Sequence, residues 1–84
     1  MLTLNFKDGR ELIINYNGTK RWYHNGKLHR EDGPALDADD GAKYWFQHGK
    51  LHRLDGPAVE CSDIRLWYQN GVVLNSEFIR MNDS

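Results

Sequence analysis

A single cysteine, Cys61, excludes an internal disulfide and fits a reducing compartment, because secreted domains this small usually carry paired cysteines. The opening Met1-Leu2-Thr3-Leu4-Asn5-Phe6 alternates and then meets Lys7-Asp8, so it lacks the basic start and long apolar run of a signal peptide. No stretch approaches the roughly 20 apolar residues of a membrane span, and the expectation is a soluble, cytoplasmic protein with no membrane partner. Charge of one sign is also missing. Eleven basic and twelve acidic side chains are interspersed for a formal net charge of −1, which excludes a nucleic-acid-binding field over the whole surface. Cys or His pairs at zinc spacing, a Gly-rich phosphate loop and a nucleophile elbow are all absent, so neither metal, cofactor nor enzymatic activity is expected. The chain of 84 residues is one domain, and at this length folding buries only roughly two-thirds of the surface the unfolded chain exposes.

What is present is repetition. GKLHREDGPAL at residues 26–36 returns 23 positions later as GKLHRLDGPAV, with nine of eleven residues identical. Aligned on tryptophan, the units begin GTKRWYHNGKLHR at Gly18, GAKYWFQHGKLHR at Gly41 and a degenerate SDIRLWYQNGVVL at Ser62. Trp22, Trp45 and Trp67 lie 23 and 22 residues apart, and Phe6-Lys7-Asp8-Gly9 echoes Tyr23-His24-Asn25-Gly26. Two full repeats between altered ends are what a stack needs when its terminal units must cap it.

Asn25-Gly26, His48-Gly49 and Asn70-Gly71 follow aromatic segments directly, and Asn-Gly is the strongest short hairpin signal. Asn17-Gly18 and Asp40-Gly41 mark the other end of the same segments. Segments this short, rich in aromatic and β-branched residues, predict an all-β antiparallel meander with two strands per repeat. The units are a capping hairpin at 1–17, repeats at 18–40 and 41–61, and a degenerate third at 62–75. Ser76-Glu77-Phe78-Ile79-Arg80-Met81 carries the cap, early acid and late base of a short helix over the last strand edge. In DGPA, Gly33 and Gly56 are expected to bend the chain, Pro34 and Pro57 to fix it, and Asp32 and Asp55 to cap the turn while pairing with Arg30 and Arg53.

The pattern W-[YF]-x-[NH]-G-K-L-H-R-x-D-G-P-A resembles the variant class of MORN repeats, over roughly residues 18–75. That resemblance implies tandem β-hairpin units acting as a scaffold or interaction surface. It further implies the company of small bacterial and phage-encoded proteins, some of them inhibitors or antitoxin-like. The glycine spacing of ordinary MORN units is missing here, so their lipid-binding role is not carried over.

Strand alternation puts Lys20-Trp22-His24, Lys43-Trp45-Gln47 and Arg65-Trp67-Gln69 on one face. The other face carries Arg21-Tyr23, Tyr44-Phe46 and Leu66-Tyr68 and, with Leu28, Leu36, Leu51 and Val59, is the expected core. Trp22, Trp45 and Trp67, with Lys20, Lys43 and Arg65 beyond them, form an aromatic and basic stripe able to stack a base or hold a planar ligand. Its structural alternative is a second layer in which each indole lies over a proline of DGPA and over lysine stems. His29, Arg30, His52 and Arg53 are either an anion site or a demand of the repeat's geometry, with His52 adding little to stability. The expected function is a non-catalytic protein-binding module that blocks a surface of another macromolecule. The alternative is a nucleotide-sequestering or other anion-binding protein that uses the His-Arg pairs and a tryptophan. Apolar Val72-Val73-Leu74 on the last hairpin arm adds the expectation of a homodimer.

Overall fold

Turn chemistry sets the course of the chain. Asn25, His48 and Asn70 hold φ of 51°, 53° and 50°, and the glycine after each holds about 80°. Positive φ at both central residues is the type I′ hairpin turn, whose twist matches that of the strands it joins. A second turn type closes the opposite ends. Gly9, Gly18 and Gly41 sit at φ of 92° to 95° and donate their N–H to the carbonyls of Phe6, Asn15 and Ala38. Asp8, Asn17 and Asp40 each accept a hydrogen bond from the backbone N–H two residues on, the short-range capping that favours Asx residues in turns. Asp8-Gly9 is therefore a turn of this second type, not the Asn25-Gly26 type that its sequence echoes.

The computed structural model describes residues 1–78. They form β1 (Leu2–Asn5), β2 (Arg10–Ile14), β3 (Lys20–His24), β4 (Lys27–Leu28), β5 (Leu36–Asp37), β6 (Lys43–Tyr44), β7 (Phe46–Gln47), β8 (Lys50–Leu51), β9 (Val59–Glu60), β10 (Ile64–Gln69) and β11 (Val72–Phe78). All pairings are antiparallel, in the order β1-β2-β3-β5-β6-β9-β10-β11, with β4 on β3 and β7 paired with β8. The fold is the expected meander.

Each repeat interrupts its return strand at the tryptophan. The Trp22 carbonyl accepts from His29 N–H at 3.0 Å while the Trp22 N–H donates to the Ala35 carbonyl at 2.7 Å, so residues 30–34 loop out of the ladder. Trp45 does the same with His52 at 2.9 Å and Ala58 at 2.7 Å, ejecting residues 53–57. β4 with β5, and β8 with β9, are thus single strands with a five-residue loop pushed out opposite the tryptophan. The degenerate unit keeps only a register shift between Trp67 and Tyr68.

The molecule is thin, measuring 49 × 28 × 15 Å. Burial is shared between faces and not confined to the tyrosine face as expected. Val59 is buried on that face, but Leu12, opposite Trp22, is buried on the other. Ala35 and Ala58 are completely buried where the tryptophans meet the return strand. The expected helix at Ser76 is also corrected. Ser76, Glu77 and Phe78 pair with Leu66, Arg65 and Ile64 as the end of β11, so cross-strand bonding overrides the local cap signal. The remainder of that segment lies outside the described residues.

Gly33 and Gly56 serve proximity and not a left-handed bend. A Cβ on either would stand 2.9 Å from the Cζ of Arg30 or Arg53, within the looped-out segment. Gly56→Ala is expected to lower unfolding free energy by about 1–2 kcal/mol by dislodging that guanidinium. Urea melts should show the cost disappear in an Arg53→Ala background; an equal cost in both backgrounds would place the strain elsewhere.

Candidate binding surface

The looped-out residues fold back over the tryptophans. Arg30 Cζ lies 4.7 Å above the Trp22 ring and Arg53 Cζ 3.8 Å above that of Trp45. Each guanidinium is tied to its own loop. Arg30 donates through Nε to Asp32 and through Nη1 to the Pro34 carbonyl, and Arg53 does so to Asp55 and Pro57 at 3.1 and 3.0 Å. A smaller version caps the first unit, where Arg10 lies 4.9 Å over Phe6 and pairs with Asp8 at 2.8 Å. Phe6 in turn stacks on Trp22 at 5.9 Å. The Arg10 backbone N–H, and then its guanidinium, hold the Asp8 carboxyl below the usual carboxylate range. The Trp22 and Trp45 indoles therefore each carry an arginine over one ring face. Asp32 and Asp55 bind arginine and do not cap the turn.

His29 and His52 are clasps between repeats. The backbone N–H of His48 donates to His29 Nδ1 at 2.9 Å, and that of Asn70 to His52 Nδ1 at 3.0 Å. An accepting Nδ1 leaves Nε2 as the ring's donor, and in His29 it stands 3.4 Å from Glu31 Oε2. His29 is 8% exposed and packs between the rings of His24 and His48 at 5.5 and 4.6 Å. This bond gives His52 a structural role between units that its place in the phrase did not suggest.

The basic stripe is neutralised by register. Lys20 lies opposite Asp37, Asp37 opposite Lys43, Lys43 opposite Glu60, Glu60 opposite Arg65, and Arg65 opposite Glu77. Lys43 Nζ reaches Asp37 at 3.1 Å, and Arg65 Nη1 reaches Glu77 at 3.3 Å. The result is a ladder of alternating sign crossing the sheet on the tryptophan face. Sequence reasoning singled out the bases and missed Asp37, Glu60 and Glu77. The signal was the acid that follows Leu36 and Val59 in both full repeats.

A cleft of about 530 Å³ opens beside Trp22, between the Asp8 turn and the Arg30 loop. Its guanidiniums, from Arg10 and Arg30, already hold Asp8 and Asp32, and Glu31 adds a third carboxylate. Two guanidiniums and three carboxylates thus share its wall. A shallower crevice of about 310 Å³ beside Trp45 again combines Arg53 with Glu31 and Asp55. Trp45 Nε1 is buried there with no hydrogen-bond partner among the described residues. Cys61 lies 4.0 Å from the Tyr44 hydroxyl, whose ionisation burial pushes up, with the thiol contact adding to it. Of the residues expected to form one stripe, Trp22 and Trp45 are roofed by Arg30 and Arg53, whereas Trp67 lacks the loop that would supply a roof. Comparison with protein-family models, curated proteins and solved structures finds no match for the chain.

His29→Ala is expected to cost about 1–2 kcal/mol in urea melts, since the His48 N–H loses its acceptor. Asp55→Ala should cost under about 1 kcal/mol, because an exposed ion pair contributes little. A reversed ranking would contradict the clasp. Lys43→Glu, which sets three acids in a row, should destabilise more than Lys20→Glu, and the difference should shrink as salt is added.

Proposed function

We propose that the chain is a non-catalytic protein-binding module that engages its partner along the open edge of β11. The observation that supports this is the state of that strand. All seven of its residues are exposed, including Val72 at 61%, Leu74 at 59% and Phe78 at 69%, and β11 ends the sheet among the described residues. An edge strand offers unpaired backbone donors and acceptors to another strand, and apolar side chains beside them add burial on contact. β1 ends the sheet on the other side but is four residues long and carries no charged residue.

The non-catalytic part of the reading rests on how the reactive side chains are used. His29, His52, Arg30 and Arg53 are each committed to contacts inside the fold, and the bases of the stripe face acids. The nucleotide-sequestering alternative has no comparable support, because its cation sites are already occupied by carboxylates. Cytoplasmic action is supported by the lone Cys61; among the described residues no helix is long and apolar enough to cross a membrane. An inhibitor-like or antitoxin-like role, implied by the repeat resemblance, would be exercised through the same edge by covering a surface of the target.

Immobilised parent chain is expected to retain a protein partner that the Val73→Lys/Phe78→Lys chain does not, while Asp55→Ala retains it fully. Retention by the edge variant, or calorimetric binding of a nucleotide by the parent, would overturn the reading.

A further inference from the structure

Between repeats, the strand equivalent to β11 is always covered, and always by the same kind of strand. Asp37 on β5 and Glu60 on β9 occupy the position that Glu77 occupies on β11: each lies opposite the base of its own repeat, Lys20, Lys43 or Arg65. On their other side Asp37 meets Lys43 and Glu60 meets Arg65, the base of the next aromatic strand. The neighbouring residues follow suit. Leu36 meets Tyr44, Val59 meets Leu66, and the next residue of the covering strand is Trp45 or Trp67. Glu77 has Arg65 on one side and no strand on the other among the described residues. The ladder of alternating charge thus stops on an acid, at an edge shaped for one more aromatic strand.

From this we infer that β11 accepts an extended antiparallel segment of another protein bearing Lys or Arg opposite Glu77, an apolar residue opposite Ser76 and an aromatic residue opposite Asn75. This deepens the binding-module reading and rests on it. Opposite charges directly across a ladder attract and like charges repel, so Glu77 selects among strands that the backbone alone would pair with equally. A second copy of this chain fits the slot poorly. β1 brings no base to the edge, and β11 against β11 adds acids without a base.

The probe is a synthetic peptide with the chain's own covering sequence at residues 41–49, GAKYWFQHG, beside a version with glutamate in place of its lysine. Fluorescence anisotropy at low salt with the full chain should show saturable binding of the lysine peptide and about tenfold weaker binding of the glutamate peptide. Glu77→Lys should reverse the preference. Glu77→Gln, which spares Arg65 a like-charged neighbour, should reduce it. Should charge on neither side matter while Val73→Lys/Phe78→Lys abolishes peptide binding, the inference falls and the binding-module reading stands. If the edge variant binds the peptide as the parent does, or the parent binds neither peptide, both fall. A dimer in sedimentation that excludes the peptide likewise overturns the heterologous assignment.

Discussion

The contact on which the fold depends is the guanidinium laid over tryptophan. A thin meander offers little to cover its largest side chains, and an open indole on a domain this small would leave too little apolar surface buried. The repeat solves this by ejecting residues 30–34 and 53–57 beside Trp22 and Trp45 and folding their arginines back as a roof. Arginine suits the role because its planar fork can stack on a ring while its edges donate to a carboxylate and a carbonyl. Four other positions of the doubled phrase serve to seat that group. Glycine clears space for the guanidinium, alanine admits the indole, and aspartate and the proline carbonyl hold the fork in plane.

Two further devices join one repeat to the next. The histidine clasp ties each return strand to the following hairpin turn, and the charge ladder makes the acid of one strand the partner of two bases. Both are translational: each full repeat offers the same groups to the unit that follows it. Such an array must end differently at its two sides. At the N-terminal side Ile14 follows Lys20 in the ladder and the small Arg10–Phe6 stack closes the face. At the other side Val73 and Leu74 stand where the full repeats carry Leu and His, so no histidine is there to make the clasp, and Glu77 is the last rung among the described residues.

This organisation bears on function through what it leaves over. His29, His52, Arg30 and Arg53 take part in cohesion within the fold, and the edge of β11 is left exposed among the described residues. The same physics that stacks the repeats, backbone pairing guided by cross-strand charge, is available there to another chain.

Much of the fold was legible in the residues themselves. Asn-Gly pairs require positive φ, alternation requires strands, and a repeated unit requires a repeated structure, all of which are local demands. Three matters were decided only by tertiary structure. The cap signal at Ser76 lost to pairing with β10, because ladder bonds and cross-strand contacts outweigh a local preference. The bases at Lys20, Lys43 and Arg65 were visible, but their acids lie 5 to 17 residues away and become neighbours only through register. His29 and His52 bond to turns of the following unit, a contact that spacing along one repeat does not reveal. Sequence by itself determined the turns, the strands and their number per repeat; which charges meet, which rings are covered and which edge stays open depended on strands brought together across distance.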